Sequence, residues 1–140
     1  GIRDRSPSRG LGDVYKRQIF NVSGESFVYT LMGNEHNGTR EDVLVVNANN
    51  GHVSLEDITT DLAKKEFNEV LIEAGPNLNG AFLNQGLIDE IIVYLAPSIL
   101  GNSSRGMFEL PMLNELSESF RFYIESVDQI GTDLRIVLRK

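Results

Sequence analysis

Residues 69–86, EVLIEAGPNLNGAFLNQG, hold the types and spacing in this chain that could do chemistry. Glu73 closes a short apolar run. Its carboxylate could accept hydrogen bonds from the N–H or O–H groups of a polar substrate, or simply end a strand in solvent. A tight turn, Ala74-Gly75-Pro76, follows, and then a helix opening on small and polar residues. Such a junction presents free backbone N–H groups at the C-terminal edge of a parallel sheet, where open α/β sheets take their ligands. Gly75 carries no Cβ, so a phosphate could come close to the main chain. Pro76 suits a first helical position, where no N–H partner is lost. Gly80 inside the helix costs about 1 kcal/mol relative to alanine, so a close approach is expected there. The pattern is neither GxGxxG nor a lysine-bearing phosphate loop, so a plain strand–turn–helix junction remains the alternative.

Other candidates carry less. His36 and His52 each lie alone in an expected loop, and without cysteine they make no recognisable metal site. Asp89 and Glu90 open a strand, as a solvated acidic edge more often does than a general-acid pair. Arg105 sits in the loop GNSSRG, which could hold an anion or merely face water.

The elements needed to position these residues can be read from the hydrophobic pattern. Residues 26–30 read as a strand, 31–42 as a loop, 43–46 as a strand and 47–51 as turn material. Ser54 reads as a helix N-cap with Asp57 in an imperfect capping box, and Leu55, Ile58, Leu62 and Ala63 follow helical spacing. Residues 70–72 read as a further strand. A helix then starts at Pro76 or Leu78, with Gly86 as its C′ residue. Residues 90–96 read as a long buried strand closed by Pro97. This alternation predicts an α/β fold with a mostly parallel sheet covered by helices on both faces. After a long connection over 98–119, the period changes to two. Phe120, Phe122 and Ile124, then Leu134, Ile136 and Leu138, flank Gly131-Thr132-Asp133 as an appended antiparallel hairpin.

Charge divides the chain. Residues 1–18 hold five basic and two acidic residues, a net +3, with Pro7, Gly10 and Gly12 among them. They read as a disordered or non-native leader, and the domain as 19–140. The body holds eight basic and eighteen acidic residues, a net −10. An acidic surface repels phosphate backbones, so no nucleic-acid partner is expected. A polyanionic ligand would have to rely on backbone amides. The longest apolar run, 91–97, is far short of the ~20 residues of a membrane span, so no membrane partner is expected. The absence of cysteine excludes disulfides, thiolate metal sites and a cysteine nucleophile, and fits a cytoplasmic protein.

Glu73 to Ala81, EAGPNLNGA, resembles the reductase-domain signature of the bifunctional riboflavin-biosynthesis deaminase/reductase family. The resemblance continues through GLIDE at 86–90, IIVYLAP at 91–97, Leu100-Gly101, RGMF at 105–108, Leu110-Pro111 and GTDLR at 131–135. It covers roughly residues 19–140. It implies a dihydrofolate-reductase-like domain that reduces 5-amino-6-(5-phosphoribosylamino)uracil with NADPH, the cofactor supplying the hydride and the protein mainly orienting the reactants. Carried over by position, Gly75, Pro76, Asn77, Leu78, Asn79, Gly80 and Ala81 would bind the cofactor phosphates, and Glu73 would contact the substrate. No catalytic residue and no metal follow from it. The family usually has Thr where Asn77 stands; asparagine keeps a polar side chain that can cap. The resemblance further implies a homodimer. It also implies that this chain lacks the deaminase domain and the start of the reductase domain, so that little turnover is expected of it alone. The alternatives are another dihydrofolate-reductase-like NADPH reductase, or a non-catalytic remnant that only self-associates.

Overall fold

The structure, a computed structural model, describes residues 25–31, 43–49 and 51–140. The leader 1–18, His36 and most of the expected loop 31–42 lie outside them. The chain divides between Asn68 and Glu69 into two compact units.

In the first unit, β1 (Val28–Thr30) pairs in parallel with β2 (Val43–Val45), Val28 opposite Val43. A short antiparallel pair follows, β3 (Ala48–Asn49) with β4 (His52–Val53), turned with the help of Gly51 at φ 79°. Residues expected to be plain turn, and His52, therefore belong to a small hairpin. Helix α1 (Leu55–Lys64) starts where the sequence places it, Ser54 Oγ accepting from the Asp57 N–H at 3.2 Å. The Asp57 carboxylate does not complete a capping box. It accepts instead from the Asn47 backbone N–H at 3.2 Å and from Asn47 Nδ2 at 2.6 Å. Leu55 is buried beneath the helix. Tyr29 on β1 donates to Asp61 on α1 at 2.8 Å, and Asp61 also holds Lys65 at 2.6 Å. Burial first, then the bond to Asp61, pushes the Tyr29 hydroxyl up to about 12. The bonds from Lys65 and Tyr29 hold the Asp61 carboxyl below its ordinary range. The helix ends in a Schellman motif, with Glu66 N–H on Ala63 O, Phe67 N–H on Leu62 O, and Glu66 itself at φ 64°.

In the second unit, α2 (Pro76–Asn84) leads through Gly86 to β5 (Glu90–Leu95), and the long connection carries only a 3₁₀ turn over Leu116–Glu118. β6 (Tyr123–Ile130) and β7 (Asp133–Arg139) then form the expected hairpin. Its two-residue loop has positive φ at Gly131 (64°) alone, the pattern of a type II′ turn. The strand order is β5-β7-β6. Glu125 is a bulge between the pairs Ile124↔Leu138 and Ser126↔Val137. Arg139 on the central strand bridges Glu90 of β5 at 2.9 Å and Glu125 of β6 at 2.7 Å. Phe82, Leu83 and Val137 are the buried apolar side chains of this unit.

The α/β class stands, but the expected parallel ordering is met only in β1–β2; the other described pairings are antiparallel. β5, which reads as an unbroken apolar run buried on both faces, is an edge strand paired antiparallel to β7. Its Ile92 and Tyr94 stand opposite Val137 and Arg135 and stay exposed. Residues 70–72 form no strand among the described residues. No described backbone bond joins residues 69–73 to a neighbour, and Val70 and Leu71 are exposed. Apolar character without a ladder partner does not make a strand.

Candidate functional site: the turn before helix α2

The site lies wholly in the second unit. Gly75 is the N-cap of α2, with φ −81° and ψ 172°, and no side chain caps the helix. Pro76 takes the first helical position. The Asn79 N–H closes the first turn on Gly75 O at 3.1 Å. Pro76 has no N–H, so within the helix the donors left over are those of Asn77 and Leu78. Neither has an acceptor among the described residues, and both residues are exposed. A Cβ placed on Gly75 would meet nothing within 4 Å, so the space beside its backbone is open. Two unpaired amides, the positive end of the helix dipole and an open flank fit an anion of phosphate size.

The remaining expected residues take different parts. Asn77 stands two positions past the cap and its side chain bonds to nothing described, so it does not replace a capping threonine. Gly80 is buried, and the close approach expected there is made by the chain's own backbone. A Cβ at Gly80 would fall 1.9 Å from the carbonyl oxygen of Glu109. Ala81 is half-buried on α2, one position further on. Glu73 is exposed, two residues before the cap, with no hydrogen bond or ion pair to a described residue. Its carboxylate is thus free beside the open turn.

Sequence reasoning missed the backbone of residues 107–109. The Glu109 N–H donates to Pro76 O at 2.9 Å, and Asn79 Nδ2 donates both to Ala74 O at 3.3 Å and to Met107 O at 3.2 Å. Gly80 was the available signal, since a glycine inside a helix marks close approach without saying by what. The other candidates stay apart from this turn's bonding. Glu90 pairs with Arg139, Asp89 O accepts from the Lys140 N–H at 3.1 Å, and Arg105 is exposed in its loop. Among the described residues no cluster of histidine and carboxylates could hold a metal ion. A small cleft lies at the opposite end of α2, lined by Leu83, Ile88, Phe120 and Phe122, with Arg121 and Lys140 also contributing.

A family model described as the RibD C-terminal domain matches residues 11–136. The chain belongs to this family. Riboflavin biosynthesis protein RibD of Buchnera aphidicola (subsp. Baizongia pistaciae) is 40% identical over 97 residues, 69% of this chain and 26% of the relative. RibD of Escherichia coli is 38% identical over 91 residues, 65% of this chain and 25% of the relative. A protein named 5-amino-6-(5-phosphoribosylamino)uracil reductase, from Buchnera aphidicola subsp. Acyrthosiphon pisum, is 37% identical over 89 residues and is covered to 43%. The chain thus spans about a quarter of the RibD relatives it matches. Among solved structures, Acinetobacter baumannii RibD superposes with a TM-score of 0.61 at 37% identity, over 69% of this chain and 26% of that one. RibD family membership agrees with the dihydrofolate-reductase-like α/β class expected from the motifs. No helix among the described residues is long and apolar enough to cross a membrane.

Proposed function

We propose that this chain is the C-terminal part of an NADPH-dependent reductase that converts 5-amino-6-(5-phosphoribosylamino)uracil to its ribitylamino product in riboflavin biosynthesis. The observation that carries the reading is the open turn before α2 in a member of the RibD C-terminal domain family. The free amides of Asn77 and Leu78 suit the diphosphate of a nicotinamide dinucleotide, and the bare backbone of Gly75 leaves room for it. When bound, NADPH supplies a hydride to C1 of the opened sugar. The chain's own residues orient, and Glu73, free and two residues from the cap, is placed in sequence to accept hydrogen bonds from the substrate.

Two further parts of the reading are a cytoplasmic setting and self-association as a homodimer. The apolar face of β5-β7-β6, with Leu95, Leu134, Ile124 and Val127 all at least a third exposed, supports the second. The domain is taken as residues 19–140.

Titrating the 140-residue chain with NADPH, followed by nucleotide fluorescence or calorimetry, tests the reading. Saturable binding is expected, with little turnover of the uracil substrate by this chain alone. Absence of saturable binding by the folded chain overturns the cofactor assignment.

A further inference from the structure

Gly80 and Asn79 are adjacent on α2, yet both engage one distant stretch of backbone. We propose that Asn79 is a positioning residue: its amide latches the 98–109 connection onto the first turn of α2 and so fixes the shape of the anion-accepting turn. The role deepens the cofactor reading above and rests on it for its functional consequence, though not for its geometry.

Three independent contacts make the latch. Asn79 Nδ2 has two hydrogens and uses them on two carbonyls from different segments, Ala74 O in the turn and Met107 O in the connection. The Glu109 N–H donates to Pro76 O. The Glu109 carbonyl fills the notch that Gly80 leaves, where any Cβ would lie 1.9 Å away. The bond to Ala74 O matters most for the site. It holds the residue just before Gly75 and thereby the direction in which the turn leaves the helix start. The bond to Met107 O holds a connection that is otherwise polar, glycine-punctuated and exposed from Gly101 to Met107. Besides the latch, that connection has two local turns among the described residues, Ser98 N–H on Ala96 O at its start and Ser104 N–H and Oγ on Gly101 O.

Asn79→Asp is the informative variant. It keeps the size of the side chain and suits an early helical position, but it removes both donors and sets a carboxylate against two carbonyl oxygens. The 140-residue chain and the variant are compared by backbone hydrogen exchange and by NADPH titration. Exchange of the Glu109 amide, which the latch holds on Pro76 O, should quicken by roughly five- to twentyfold, the scale of one to two lost hydrogen bonds. The β5-β7-β6 strands should keep their protection, and NADPH should bind roughly three- to tenfold more weakly. Gly80→Ala, which displaces Glu109 by contact instead of charge, should quicken exchange of the same amide. Unchanged exchange of the Glu109 amide in both variants overturns the latch. A released segment with unchanged NADPH affinity overturns the positioning role. If the unsubstituted chain binds no NADPH, the cofactor reading fails, and the exchange comparison still decides the latch.

Discussion

Replacing Gly75 with valine tests the open turn most sharply, because the structure allows the substitution to be judged separately for folding and for binding. At φ −81° and ψ 172° the residue lies in the β region, which a β-branched residue adopts readily. Nothing lies within 4 Å of the Cβ position, so the fold offers no steric objection. A poorer N-cap costs roughly 1 kcal/mol or less, and the stiffer unfolded chain returns about 0.4–1 kcal/mol. The melting temperature should therefore move by no more than about 4 °C. Binding is another matter. An isopropyl group on the open flank stands where a phosphate must approach the Asn77 and Leu78 amides. Each hydrogen bond to a charged group is worth about 1.5–3 kcal/mol. Losing one of them would cost about 1.5–3 kcal/mol, or roughly ten- to one-hundred-and-fiftyfold in the NADPH dissociation constant. Calorimetric titration beside a thermal melt reads both quantities on one sample. A valine variant that melts normally and binds with wild-type affinity refutes the argument that the turn grips phosphate through its main chain.

Two further outcomes follow from the first unit. Glu66 closes α1 in the left-handed region at φ 64°, so Glu66→Gly should stabilise by about 0.5–1 kcal/mol, read as a higher urea midpoint with an unchanged slope. The Tyr29–Asp61 pair predicts opposite losses at the two ends of the pH scale. Tyr29 is raised in the folded state, so its contribution is whole below pH 10.0 and fades as the pH climbs towards about 12. Asp61 is lowered, so its contribution is whole above the ordinary carboxylate value of 3.8 and fades as the pH falls below it. Phenolate absorbance of the wild type minus that of Tyr29→Phe should show a transition near pH 12 that moves down in Asp61→Asn; an unshifted transition contradicts the pairing.

Local chemistry was legible in the sequence and distant chemistry was not. Ser54 caps α1, Pro76 begins α2, Gly86 ends it at φ 71° in a Schellman motif, and Gly131 turns the hairpin. Each of these depends on backbone geometry within a few residues, which residue type dictates. Residues 70–72 carry the apolar signature of a strand, but a strand is defined by a partner, and periodicity cannot supply one. The run at 90–95 has the same defect, since continuous apolar character does not say whether its neighbour runs parallel or antiparallel. Asp57 shows the limit within a single turn: its position suits a capping box, yet Asn47, ten residues upstream, captures its carboxylate.

Gly80 carries the same lesson into the site and also explains how one helix turn can serve two purposes. The spacing gave a reason to expect something close to the helix there, and phosphate was one candidate. The backbone of Glu109 is what occupies the notch, on the side of the helix, where the helix's own hydrogen bonds are already closed. The donors of Asn77 and Leu78 are different in kind. First-turn N–H groups point along the axis, out of the N-terminal end, so lateral packing neither satisfies nor shields them. Docking the connection against the flank therefore stiffens the turn and leaves its N-terminal amides open. A glycine and an asparagine facing the flank, and a capless glycine at the end, are the residue choices that such a division requires.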